Sequence, residues 1–255
     1  MKSALVFVGL VALCQGSPLL RGLGGRIVNG ENAMEGEIPY QVSLQTMGGF
    51  HFCGGSVLNK NYVVTAAHCV KGSSPSSIKV IAGTTDLEDP QATHYAVKII
   101  VHDGYNPYDS WVNDIALIKV DTDFHYSKTV SNVVLPPHGF VVPDSSVATV
   151  SGWGRLWQGG STPTVLQRTD IMITSQQYCT QIYGYTGMAV YPTHICAHDR
   201  DVESGSCHGD SGGPLTVDGQ LAGIVSWAQG CASTKYPTVY TRVAEYVDWL
   251  NANAV

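Results

Sequence analysis

"GSCHGDSGGP", Gly205 to Pro214, sets four glycines around Ser211, puts Asp210 directly before it and gives the loop a covalent anchor in Cys207. A serine hydroxyl is a poor nucleophile near neutral pH. To react it needs a base for its proton and donors for the charge that develops on a substrate carbonyl. Glycines let backbone N–H groups turn toward one point with no Cβ in the way, and Gly209 and Ser211 are the two candidate donors. Alone, the stretch reads equally well as a glycine-rich turn, so the remaining parts must come from elsewhere in the chain.

Nine histidines are available as the base. His68 stands out in "TAAHC" (65–69), where small residues permit close packing around the ring and Cys69 anchors the segment. The imidazole in turn needs a buried carboxylate to orient it, and Asp114 in "NDIALIKV" opens an apolar strand. By itself that aspartate would more readily cap a turn.

The scaffold signals are those of an all-β protein. Short β-rich runs at 40–45, 78–83, 114–120 and 147–154 are separated by Gly, Pro, Asn and Asp, which favours a barrel or sandwich over a parallel α/β sheet. "PLTVDGQLAGIVSW" (214–227) places Asp218-Gly219 between two apolar runs, the signature of a tight hairpin. "SNVVLPPHGFVVPDSS" (131–146) suits an extended connection between two halves. Val243, Tyr246, Val247 and Leu250 recur at helical spacing and predict a closing helix over about 242–253.

The chain has 255 residues, 44% hydrophobic and 13% charged, enough for one large core or two small ones. Residues 1–16 carry a basic start at Lys2, an apolar run from Ala4 to Leu13 and small residues at the end, the grammar of a secretory signal. No other segment has the ~18 uninterrupted apolar residues of a membrane span, so an exported, extracellular protein without a membrane partner is expected. Assigning Cys14 to the leader leaves six cysteines, Cys53, Cys69, Cys179, Cys196, Cys207 and Cys231. Spacing alone cannot choose among ~15 pairings, but export favours oxidised pairs. Removal of residues 1–26 takes three basic and no acidic residues, leaving 11 against 20, a net charge of −9. Nucleic acid is an unsuitable partner for such a surface. No Asn-x-Ser/Thr triplet occurs, so N-glycosylation is not expected.

Taken together, "RIVNG" (26–30), "TAAHC", "NDIAL" (113–117), "SGWG" (151–154), "GDSGGP" (209–214) and "SWAQGC" (226–231) resemble the trypsin/chymotrypsin family of secreted serine endopeptidases, in order and over the chain from Ile27 onward. The resemblance implies two packed six-stranded antiparallel β-barrels (about 27–136 and 137–240) with a C-terminal helix. It places a catalytic triad at His68, Asp114 and Ser211, with Gly209 and Ser211 as oxyanion hole. The chain order His, Asp, Ser is that of this branch of triad enzymes. Bridges Cys53–Cys69, Cys179–Cys196 and Cys207–Cys231 are likewise implied by the resemblance. So is an activation propeptide, 17–26, cut after Arg26 by a trypsin-like protease, so that the new ammonium of Ile27 pairs with Asp210.

The family's substrate pocket aligns with Gly205 at its base and Ala228 and Thr238 on its walls, with Ser226, Trp227 and Ala228 offering backbone to the substrate as an added strand. Gly205 supplies no carboxylate, which disfavours Lys or Arg before the scissile bond, since a cation would enter unpaired. Asp201 and Glu203 are close in sequence but read as a solvated loop. Side chains at 228 and 238 in place of glycines point to small or medium apolar residues, an elastase-like preference; the alternative is a broader chymotrypsin-like one. Ser226 is expected to donate to Asp114, and His208 to sit at the rim. Thr84 stands where calcium-binding relatives carry a carboxylate, and Glu88 and Asp89 do not make a cation site, so no metal and no cofactor are expected. The remaining expectations are a digestive, monomeric enzyme acting on protein and peptide substrates and subject to protein protease inhibitors. A regulatory protease or a non-catalytic binding homologue are the rival readings.

Overall fold

The computed structural model describes residues 27–255. The expected leader at 1–16 and the expected propeptide at 17–26, with Cys14 and Arg26, lie outside the described residues. A two-residue strand, β1 (Glu31–Asn32), comes first. Six strands then form the first barrel: β2 (Gln41–Thr46), β3 (His51–Val57), β4 (Tyr62–Thr65), β5 (Ile78–Ala82), β6 (Ala92–Val101) and β7 (Ala116–Val120). They close in the order β2-β3-β4-β7-β6-β5. The second barrel uses β8 (Val147–Gly152), β9 (Gln167–Thr174), β10 (His194–His198), β11 (Pro214–Val217), β12 (Gln220–Trp227) and β13 (Thr238–Arg242). Its order is β9-β10-β13-β12-β11-β8, and β8 pairs back onto β9 to close it. All of these ladders are antiparallel, so the expected two-barrel architecture is the observed one.

Each barrel is filled by its own inward-facing side chains, as small barrels must be. Val42, Leu44, Val63, Val80 and Ile118 pack inside the first, and Val150, Ile171, Leu215 and Tyr240 inside the second. A third cluster, with Tyr62, Leu117, Leu221, Ile224 and Leu250, fills the seam between them. Asp218 and Gly219 have φ of 48° and 75°, the left-handed pair that the β11–β12 hairpin requires. Residues 131–146 contain no strand and run between the two barrels.

Two boundaries differ from the sequence reading. The first barrel begins at Gln41, not near 27: β1 pairs with β9, and Ile27 is wholly buried in the second barrel's core. Apolar Ile27 finds its cavity there, which a division by sequence order cannot anticipate. The C-terminal helix is also shorter than about 242–253. A 3₁₀ turn at Val243–Glu245 is followed by α-helix only over Val247–Asn253. Tyr246 breaks the run at φ −116° because its ring is buried and its hydroxyl donates to Asn113 Oδ1 at 2.8 Å.

The six cysteines of the described chain form the three implied bridges. Cys53–Cys69 ties β3 to a short helix, α1 (Ala67–Val70). Cys179–Cys196 ties α2 (Gln176–Gly184) to β10, and Cys207–Cys231 ties the Ser211 loop to the loop before β13. Each bridge is expected to contribute about 2–5 kcal/mol to stability.

Candidate active site

Asp114 and His68 come from opposite ends of regular elements of the first barrel. Asp114 lies just ahead of β7 and is fully buried. Its Oδ1 accepts the backbone N–H of His68 (2.8 Å), and its Oδ2 accepts His68 Nδ1–H (2.7 Å) and the Ser226 hydroxyl (2.5 Å). Because Nδ1 must donate to the carboxylate, Nε2 of the neutral ring keeps its lone pair. Ala66 and Ala67 are fully buried, so the small residues of "TAAHC" do admit the close packing expected of them.

The second barrel reaches across to hold this carboxylate. The β12–β13 ladder is irregular between Val225 and Trp227, and Ser226 is the residue set aside by that bulge, which aims its hydroxyl at Asp114. From β13, the Thr241 hydroxyl donates to the Asp114 carbonyl at 2.7 Å.

Ser211 sits on the facing loop, and both Ser211 and His68 line one cleft of about 260 Å³. No hydrogen bond joins the two side chains; His68 Nε2 lies 3.8 Å from Cys69 Sγ. The Ser211 carbonyl accepts Gly54 N–H from the first barrel at 2.8 Å, which fixes the loop across the seam. Gly209 has φ 102°, and a Cβ there would stand 3.0 Å from Gly154 Cα; Gly212, at φ 77°, has Thr65 Oγ1 where a side chain would go. Neither the Gly209 nor the Ser211 N–H has an acceptor within the described chain, while Asp210 N–H between them is satisfied by the Cys207 carbonyl at 3.1 Å. Two free donors separated by one residue, beside a hydroxyl, are suited to a carbonyl oxygen that gains charge.

Asp210 turns away from the cleft. Its oxygens accept the N–H groups of Gly154 and Cys207, each at 2.8 Å. Burial pushes its carboxyl up to about 7, against the pull of those two hydrogen bonds. Val28 bridges to Gly205, so the start of the described chain lies against the loop that carries Ser211.

Of the expected pocket residues, Ser226, Trp227, Ala228 and Thr238 line the cleft. Gly205 is buried and paired with Val28, and the next two residues, Ser206 and Cys207, line the cleft. The Ser206 hydroxyl donates to Thr238 Oγ1 at 3.3 Å. Among the described residues, no acidic side chain lines the cleft. Asp201 and Glu203 are exposed, and His208 is an exposed cleft residue. Cys53, His68 and Cys69 are grouped closely, but the two sulfurs are bonded to each other and leave no thiolate for a metal. In the loop at 84–91, Thr84 Oγ1 lies 2.8 and 2.9 Å from the Asp86 and Asp89 carbonyls, so a hydroxyl occupies the loop's interior.

Three participants escaped the sequence reading. Trp111 lines the cleft with its ring stacked on Trp227, Ser206 forms part of the wall, and His51 supports the loop that carries Gly209. His51 Nε2–H donates to the Gly209 carbonyl (3.0 Å), so Nδ1 accepts from Ser43 (2.7 Å). Burial holds this imidazole below its usual pKa, keeping it neutral. Ser206 was foreshadowed by its adjacency to Gly205; no spacing pointed to His51 or Trp111.

A buried carboxylate on an imidazole, facing a hydroxyl beside two free donors, defines a serine hydrolase of the two-barrel class. The family described as Trypsin matches residues 27–250. Trypsin-1 of Astacus astacus is 42% identical over 242 residues, covering 90% of this chain and 100% of the relative. Trypsin Blo t 3 of Blomia tropicalis is 39% identical across 98% of each chain, and hypodermin-B of Hypoderma lineatum 39% identical across 92% of this chain and 90% of the relative. The chain belongs to the trypsin family and is a serine endopeptidase acting on protein substrates.

Proposed function

We propose that the protein is a secreted digestive endopeptidase, made as a zymogen, that prefers small or medium apolar residues before the scissile bond. Ser211 Oγ attacks the scissile carbonyl as His68 Nε2 takes its proton. Gly209 and Ser211 N–H groups bind the oxyanion, and His68 returns the proton to the leaving amine. Water then hydrolyses the acyl-enzyme by the same steps. Asp114 keeps the imidazole in the useful tautomer and stabilises its cation. Cutting after Arg26 by a trypsin-like protease frees the Ile27 ammonium, whose charge offsets the burial of Asp210 and fixes the backbone from Gly209 to Ser211.

The observation that carries the specificity is a cleft beside Ser211 walled by Ser206, Ala228 and Thr238 and lacking any carboxylate. A Lys or Arg side chain would lose hydration there without gaining a partner. Relatives named trypsins therefore do not transfer that preference. A broader, chymotrypsin-like reading is favoured by one detail: Ala228 is exposed, so its methyl narrows the mouth and not the floor. Export fits the leader grammar and three disulfides.

The test is a peptide panel varying only the residue before the scissile bond, run after controlled cleavage at Arg26. Ala, Val or Leu should lead, with Phe or Tyr lower by roughly 10-fold. Lys or Arg as the best substrate would overturn the pocket reading. A serine-directed phosphonate that fails to label the cut protein would overturn the mechanism.

A further inference from the structure

Asp114 sits in a turn that is fastened from the far end of the chain. The preceding residue, Asn113, is in left-handed backbone (φ 59°), and Ile115 N–H donates to the Asn113 carbonyl at 2.8 Å, which closes a three-residue turn around Asp114. Asparagine tolerates this conformation better than most residues, but it persists only where the surroundings over-determine it. The Asn113 side chain supplies part of that constraint. Its amide donates to the Gly104 carbonyl, in the segment between β6 and β7, and its oxygen accepts the Tyr246 hydroxyl, both at 2.8 Å.

Tyr246 is itself held firmly. It stands between the 3₁₀ turn and the C-terminal helix, where its N–H donates to the Val243 carbonyl (2.9 Å) and its carbonyl accepts Leu250 N–H (2.8 Å). Its ring is buried in the seam between the barrels and meets His102 edge-on, with centroids 5.4 Å apart. His102 N–H in turn donates to the Ile115 carbonyl at 3.1 Å, so the ring also braces the other side of the turn. Burial pushes the phenol's pKa up to about 12, and the group keeps the proton it donates. The Thr193 hydroxyl, ahead of β10, is a second polar neighbour of the phenol.

We propose that Tyr246 is a positioning residue for the catalytic carboxylate: acting through Asn113, the C-terminal segment fixes the turn that aims Asp114 at His68. This rests on the peptidase reading above. The turn has other supports, since Thr241 holds the Asp114 carbonyl and both His68 and Ser226 donate to the Asp114 side chain. Loss of the Tyr246 hydroxyl therefore loosens the turn without dismantling the triad, and the His68–Asp114 pair spends less time in its bonded geometry.

The experiment uses the full chain cut at Arg26, with Tyr246→Phe, Asn113→Gly, the double variant, and Tyr62→Phe as control. Tyr62 is a buried tyrosine whose hydroxyl donates to the Val255 carbonyl at 2.8 Å, so its variant also loosens the end of the chain, but at Val255 and not at Asn113. Asn113→Gly keeps left-handed backbone accessible while removing the side chain. Tyr246→Phe should lower kcat about threefold to tenfold, equally for an ester and a peptide substrate, with KM unchanged. In Asn113→Gly kcat should fall at least as far, and adding Tyr246→Phe to it should cost less than about twofold more, because the two residues act in series. Tyr62→Phe should keep the parent's kcat. Proton NMR gives a readout independent of turnover: the His68 Nδ1–H resonance, identified by its absence in Asp114→Asn, should shift or broaden in Tyr246→Phe and stay in place in Tyr62→Phe. A parent inert to both substrates counts against the peptidase reading, while this resonance still decides the positioning. An unchanged kcat or an unmoved resonance in Tyr246→Phe, a loss carried by KM, a matching loss in Tyr62→Phe, or losses that multiply in the double variant would overturn the proposal.

Discussion

The two barrels have the same number of strands but hold their share of the site by different means. In the first, His68 and Asp114 sit at the ends of regular elements and are cross-linked by two hydrogen bonds of 2.8 and 2.7 Å. In the second, Ser211 sits on a loop whose shape depends on positive φ at Gly209 and Gly212 and on the buried carboxylate of Asp210. His68 and Asp114 are thus placed by elements that exist once the barrel folds. The loop that carries Ser211 is instead folded around one buried carboxylate, held by the N–H groups of Gly154 and Cys207.

The sharpest way to break that contrast is at Asp114. Asp114→Asn leaves the volume unchanged but lets an amide face His68 Nδ1, favouring the wrong tautomer. Turnover should fall about 10⁴-fold, measured as kcat on a good apolar peptide. Ser226→Ala removes one of three donors to the same carboxylate and should cost less than about tenfold, because both His68 contacts remain. A larger loss from Ser226→Ala than from Asp114→Asn would mean that the second barrel, not the first, secures the base.

Arg26→Gln tests the other half. Without cleavage no Ile27 ammonium forms, the Gly209 and Ser211 donors are not fixed, and activity should fall about 100- to 1000-fold. Stability carries a second signature. With its carboxyl raised to about 7, folded Asp210 holds a proton that the unfolded chain has already lost above its ordinary value of 3.8. The uncut chain should therefore lose stability as pH rises from about 4 to 7, by at most about 4 kcal/mol, and stay at that deficit above. In the cut enzyme the ammonium supplies the opposite charge and the slope should shrink. Superimposable pH–stability curves for the two forms would remove the pairing.

What the sequence disclosed follows from what is local. Turn residues such as Asp218-Gly219 and alternating runs such as "YQVSLQ" (40–45) carry their own geometry, so the all-β class and the hairpin could be read directly. Six segments in order then carried the resemblance that located Ser211, His68 and Asp114. The contributions that stayed hidden are made across the seam. Ile27 belongs by position to one barrel and by packing to the other. Gly205, which aligns with the pocket base, also pairs with Val28 from the start of the described chain. Trp111 looks like an ordinary loop aromatic until the second barrel brings Trp227 to its face. Tyr246 cuts the last helix short because its partner, Asn113, is 133 residues away in sequence.

His51 offers the finest division between the barrels, since it belongs to β3 of the first and yet supports the donor loop of the second. Its Nε2–H is bonded to the Gly209 carbonyl, and that peptide's orientation decides where the Gly209 N–H points. His51→Ala leaves the carbonyl without its donor and the peptide freer to turn, so kcat should fall roughly tenfold with KM little changed. His51→Gln, whose amide can donate to the same carbonyl, should recover much of the loss. Ser43→Ala removes only the acceptor-side contact at Nδ1, and its effect should be smaller than that of His51→Ala. If instead KM rises while kcat holds, His51 shapes substrate binding and the donor loop stands without help from the first barrel.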